Sequence, residues 1–186
     1  MIETPQDQYS SPSNNPYPSV PLLIDSRDTE YKGTGTTSSV AILGHPIHPI
    51  VVIFPVAFLS AAAGSDIGYW LTSSEFWVEA SNWLIGLGVL SGIAAAVVGM
   101  FDFIKIPRVR SRTAGWAHMW LNVAVLILSA ANFVLRLFFS ESIILPAGLG
   151  LSLVVATLLL ASGWYGGELT FRHKVGIVGS GETMVS

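Results

Sequence analysis

At 186 residues the chain has a one-domain length, yet it is 51% hydrophobic and only 11% charged, with a mean hydropathy of +0.59. That composition excludes an ordinary soluble domain and points to a membrane protein. A net charge of −3 supplies no basic field for a polyanion, so nucleic acid is not an expected partner, and the absence of cysteine excludes disulfides, Cys-ligated iron–sulfur clusters, covalently attached c-type haem and thiolate catalysis.

Residues 1 to about 40 read as a disordered polar tail, with Pro5, Pro12, Pro16, Pro18 and Pro21 set among Ser, Asn, Thr and Gly and no apolar periodicity. The first residues carry neither a basic stretch nor an apolar core, so no cleavable secretory signal is expected ahead of the first span. Four apolar segments follow, at about 47–71, 80–104, 114–139 and 145–167, each long enough for the ~20 residues that cross a bilayer as helix. Pro55 in the first removes an amide donor and frees the carbonyl of Val51, which predicts a kink. Their length and lack of period-two alternation exclude barrel strands.

The expected fold is therefore an all-α, four-helix transmembrane bundle over residues 41–179, followed by a flexible 180–186. Lys105, Arg108, Arg110 and Arg112 lie between the second and third spans, Arg172 and Lys174 follow the fourth, and Arg27 and Lys32 sit in the tail. Eight of the nine basic residues thus share one side, Arg136 being the exception, which predicts cytoplasmic termini and a plasma-membrane protein. Tyr69, Trp70, Trp77 and Trp83 form an outer aromatic belt, and Trp116, Trp120, Trp164 and Tyr165 an inner one. Gly88, Gly92 and Ala96, and likewise Gly163 and Gly167, recur at four-residue spacing; their first expected use is close packing within this bundle, their second the seam of a homo-oligomer.

Ionisable groups inside a span cost roughly 2.5–3.5 kcal/mol near its centre, so each calls for a reason. Most gather at the inner end: His45 and His48 in the run Gly44-His45-Pro46-Ile47-His48-Pro49, Asp102 ending the second span, His118 about one turn inside the third, Glu168 closing the fourth and His173 just beyond. If the first of these runs is helical, its two imidazoles share a side. Asn122 lies one turn from His118 on the same face. Imidazole suits iron, copper and zinc, and carboxylates can complete a non-haem site. The candidate metal ligands are therefore His45, His48, Asp102, His118, Glu168 and His173; for a b-type haem the natural axial pair is His48 with His118. The predicted shallowness of these histidines favours a compact His and carboxylate site over a porphyrin.

The competing reading is structural: interfacial His and Asp cap helices, meet headgroups or pair with the neighbouring arginines, Asp102 with Lys105 or Arg108. Asp66, 18 residues after His48 and so about 27 Å along a helix at ~1.5 Å per residue, cannot join the inner group. It is expected at the outer end with a helix-packing partner, and Asn132 as an interhelical hydrogen bonder. Phosphate loops, nucleophile elbows, zinc-protease motifs and paired acidic clefts are absent from the sequence.

The combination of GHPIHP with Phe54-Pro55, Asp66, Asp102, His118 with Asn122, and Gly166-Gly167-Glu168-Leu169 with Arg172-His173 resembles the bacterial membrane-protein family called domain of unknown function 2231. The resemblance implies a four-helix membrane module. Relatives of that family occur fused to or beside Rieske-type and cytochrome-like redox domains, an association rather than a mechanism. Lys174 departs from the glycine that the family pattern carries after its last motif, which puts a close backbone approach there in question. The functional expectation is a membrane redox or accessory subunit that binds a transition metal ion or b-type haem, with the lipid bilayer and a redox protein as partners. The alternative is a non-catalytic scaffold or assembly subunit whose polar layer only fixes helix packing.

Overall fold

The computed structural model describes residues 35–139 and 144–177. Most of the expected polar tail and the expected flexible C-terminus lie outside the described residues. Four apolar helical spans follow one another, Ile47–Thr72, Glu75–Lys105, Thr113–Phe138 and Leu145–Phe171, as the hydropathy pattern predicts. The second begins well before its apolar run because Glu75 and Glu79 suit a helical N-terminus outside the hydrocarbon.

The first span is broken at Val52, between helices Ile47–Val51 and Ile53–Thr72. Pro55 lacks the amide that would bond the carbonyl of Val51, and the interruption lies in the turn that precedes it. A short helix, Pro107–Arg110, with proline at its first position, turns the chain between the second and third spans. The fourth ends in a wide turn, Glu168–Arg172.

Each span packs on two neighbours in a ring, first on second, second on third, third on fourth and fourth on first, so that the first and third face each other across the bundle. Leu59, Val125, Val155 and Leu159 form its middle. Gly88 and Gly92 show why the second span needs small residues: a Cβ on either would lie 2.5 Å from Leu59 Cδ2 or 2.8 Å from Leu126 Cδ2. These two glycines pack the chain's own bundle, whereas a Cβ at Gly163 would meet nothing within 4 Å. Large apolar side chains such as Leu90, Ile93, Ile127 and Leu160 face outward, as a lipid solvent allows.

The described ends of the chain meet at one end of the bundle, the near end. Residues 35–40, which composition assigns to the polar tail, run along it: Thr36 N–H donates to the Lys174 carbonyl at 2.9 Å and Gly176 N–H to the Thr36 carbonyl at 2.7 Å. A two-residue hairpin, Ala41–Ile42 with His45–Pro46, then leads into the first span. Its turn uses Leu43 at φ 50° and Gly44 at φ 81°. Lys174 adopts φ 52°, a left-handed conformation that glycine enters without steric cost.

Candidate functional site

Two polar centres cross the bundle, one at each end. At the far end Asp66 of the first span is fully buried and receives a two-pronged contact from Arg136 of the third, Nη1 to Oδ1 at 3.0 Å and Nη2 to Oδ2 at 2.6 Å. Ser81 of the second span donates to Oδ1 and Ser152 of the fourth to Oδ2, both at 2.6 Å. Arg136 Nε–H donates to Asn132 Oδ1 at 2.9 Å, and Asn132 Nδ2 to Ser152 Oγ at 3.0 Å. Both carboxylate oxygens accept twice and four spans are tied together, which is how a buried ion pair offsets its desolvation. Asp66 has the packing partner expected of it and Asn132 bonds between helices. Arg136 had stood out in the sequence only as the basic residue on the wrong side; its spacing of four from Asn132 was the available signal.

At the near end His48 of the first span and His118 of the third face each other with ring centres 6.2 Å apart and planes at 88°. Each is held by a neighbouring helix through the same atom: His48 Nδ1 bonds the Ala95 carbonyl at 3.1 Å, and His118 Nδ1 the Ser162 carbonyl at 2.8 Å. A carbonyl can only accept, so Nδ1 carries the proton and Nε2 of the neutral ring is left as acceptor. Asn122 Nδ2 lies 3.2 Å from His118 Nε2 and closer to two other acceptors, the His118 carbonyl at 2.8 Å and Ser162 Oγ at 2.7 Å.

Glycines make the approach of the rings to the backbone possible. A Cβ on Gly99 would lie 2.7 Å from His48 Cε1, and one on Gly166 3.1 Å from His118 Cε1. Both imidazoles border a cavity of about 350 Å³ in the near half of the bundle, walled by all four spans and otherwise lined mostly by apolar side chains such as Leu59, Leu126 and Leu159. The histidines thus border the bundle interior although both stand near the ends of their spans.

Of the remaining candidate ligands Asp102 also lines this cavity, while His45, Glu168 and His173 do not. His45 is exposed, and its Nδ1 bonds the Leu43 carbonyl at 3.0 Å. It belongs to the hairpin and not to a helical turn shared with His48, in keeping with the extended bias of a residue that precedes proline. The Asp102 carboxylate is taken up by tail serines in place of the expected Lys105 or Arg108; Ser38 Oγ, Ser39 N–H and Ser39 Oγ donate to it at 2.6–2.9 Å. Glu168 is buried and pairs with Arg172 at 3.3 Å. His173 is fully buried behind the last turn, and its carbonyl accepts from Arg108 at 3.3 Å. Among the described residues no group of three or more His, Asp and Glu is placed to hold a metal ion. His48 and His118 face each other, and Asp102 is the one other expected ligand that lines their cavity.

No curated protein and no solved structure matches the chain. Residues 44–179 match the model of the family described as predicted membrane protein (DUF2231), and this match covers well over half of the chain, including all four spans and both polar centres. The chain is a multi-pass integral membrane protein and belongs to that family.

Proposed function

We propose that the near-end cavity binds a b-type haem between His48 and His118, and that the protein serves electron transfer within the membrane or supports a redox complex as an accessory subunit. The observation that carries this reading is the matched pair of Nδ1–carbonyl bonds, to Ala95 and to Ser162, which leaves the two Nε2 atoms as the available nitrogens. Ligating histidines are commonly oriented in this way by the proton on their other nitrogen. The two rings stand close enough, with centres 6.2 Å apart, that His48 and His118 would be the residues to hold the group.

Haem is preferred to a bare transition metal ion because it would need only the two imidazoles of His48 and His118 from the protein. A non-haem ion needs further donors, and Asp102 and Glu168 are engaged with the two serines and with Arg172. When bound, the group would supply one-electron redox chemistry. The chain's part is to hold the two nitrogens, to surround them with apolar walls, and to release the long Asn122 contact from His118 Nε2 while Asn122 keeps its two shorter ones.

That Asn122 contact is also the observation that favours the second reading, a scaffold in which the imidazoles only join helices. The test is an optical spectrum of the purified protein, oxidised and dithionite-reduced, with elemental analysis of the same sample. A Soret band with reducible alpha and beta bands, lost in His118→Ala, is expected. Stoichiometric metal without those bands would replace haem by a non-haem ion, and a folded, colourless, metal-free protein would leave the scaffold.

A further inference from the structure

The cavity has a fifth wall of a different kind. Across its near end run residues 35–40 together with the chain after the fourth span, and Ser38, Pro46, Val175 and Gly176 line the cavity beside the helices. The helical walls are packed side chain against side chain. The strap is held by polar contacts: the carboxylate of Asp102 gathers Ser38 Oγ and both the N–H and Oγ of Ser39, and Thr36 makes two backbone bonds to the Lys174–Gly176 segment. The hairpin that follows buries little, Ile42 and Leu43 being 63% and 93% exposed. Segments with few buried apolar contacts open first, at a small fraction of the global unfolding free energy.

We propose that residues 35–40 form a lid over the near-end mouth of the cavity, latched by Asp102, and that its release admits water-soluble molecules from the side on which the chain termini lie. Asp102 is then a latch and not a ligand of whatever the cavity holds. The lid serves the binding reading given above and rests on it for its purpose, but its movement can be read without any ligand.

The chain has no cysteine, so single thiols report cleanly. Ala96→Cys places one on the cavity wall, and Glu79→Cys places one at an exposed far-end position as a control. Each is introduced into the full chain, in proteoliposomes, with the latch intact, with Asp102→Ala and with Ser38→Ala plus Ser39→Ala, and the rate of reaction with a charged, membrane-impermeant maleimide is measured. Both unlatched forms should label the cavity-wall thiol faster by roughly tenfold or more, the scale of losing a hydrogen bond to a charged group, while the control thiol is unchanged.

Equal rates at the cavity-wall thiol with and without the latch would overturn the lid. So would fast labelling of the latched protein by an uncharged, lipid-soluble maleimide together with no effect of unlatching on the charged reagent, because the route would then be lateral. A rise at both thiols in Asp102→Ala would mark unfolding, and the double serine variant, which keeps the carboxylate, then decides. Faster labelling in a protein that binds no haem or metal would sink the binding reading and keep the lid. A haem-loaded protein with latch-independent labelling would do the reverse.

Discussion

The two polar centres of this bundle are built to the same plan and end in opposite states. Each joins the first span to the third across the diagonal, each sets an asparagine four residues from the charged or ring-bearing residue of the third span, and each recruits a serine from the fourth, Ser152 at the far end and Ser162 at the near end. At the far end the donors and acceptors match: the Asp66 carboxylate is filled on both oxygens and Arg136 shares its protons among Asp66, Ser81 and Asn132. At the near end each imidazole spends Nδ1 on a carbonyl, His118 Nε2 takes only the long Asn122 contact, and both rings border a cavity. A saturated buried network can only hold the fold. An unsaturated one next to open space has capacity left for a ligand.

The contrast can be broken most forcefully at the far end. Arg136→Ala should destabilise the bundle by about 3–5 kcal/mol, because it strands a buried carboxylate, as read from thermal unfolding in detergent followed by helical circular dichroism. Asp66→Leu with Arg136→Met should recover most of that loss, since apolar replacement of a buried pair is often neutral or better; a double variant as unstable as the single one would give the network a role beyond charge compensation. Gly99→Ala should cost about 1–3 kcal/mol by overpacking. Its larger effect should be on cofactor content, because the new methyl displaces His48; unchanged absorption and metal content in a loaded protein would remove His48 from the site.

Asn122→Ala should cost about 1 kcal/mol and leave cofactor binding intact, which separates a ligand role for His118 from a purely structural one. The smallest effect is expected at Lys174→Gly, a gain of about 1 kcal/mol from relieving a left-handed backbone, measured as a rise in melting temperature with no change in the spectrum.

The four spans were legible because hydrocarbon thickness writes itself into sequence as run length, and the observed spans fall close to the apolar runs. Pro55 located the break in the first span for the same local reason. What escaped the sequence was partnership. Ser38 and Ser39 read as tail composition, and only the fold brings them 64 and 63 residues along the chain to Asp102. The packing of His48 against the second span was not legible because nothing local says that Gly99 leaves room for its ring. Arg136 read as an interfacial charge, since a sequence does not reveal that Asp66, 70 residues away, is its counter-ion.

That separation has a consequence for synthesis. At ~5–20 residues per second, Asp66 is made roughly 4–14 s before Arg136, and Ser81 is its one bonding partner produced in the interval. The first two spans must therefore wait, with an uncompensated carboxylate, for the third to arrive, and Ser152 of the fourth comes later still. The nascent chain is most exposed to misinsertion in that window. A ribosome stalled between residues 105 and 136 would hold two spans whose acid has no base, a natural substrate for membrane quality control.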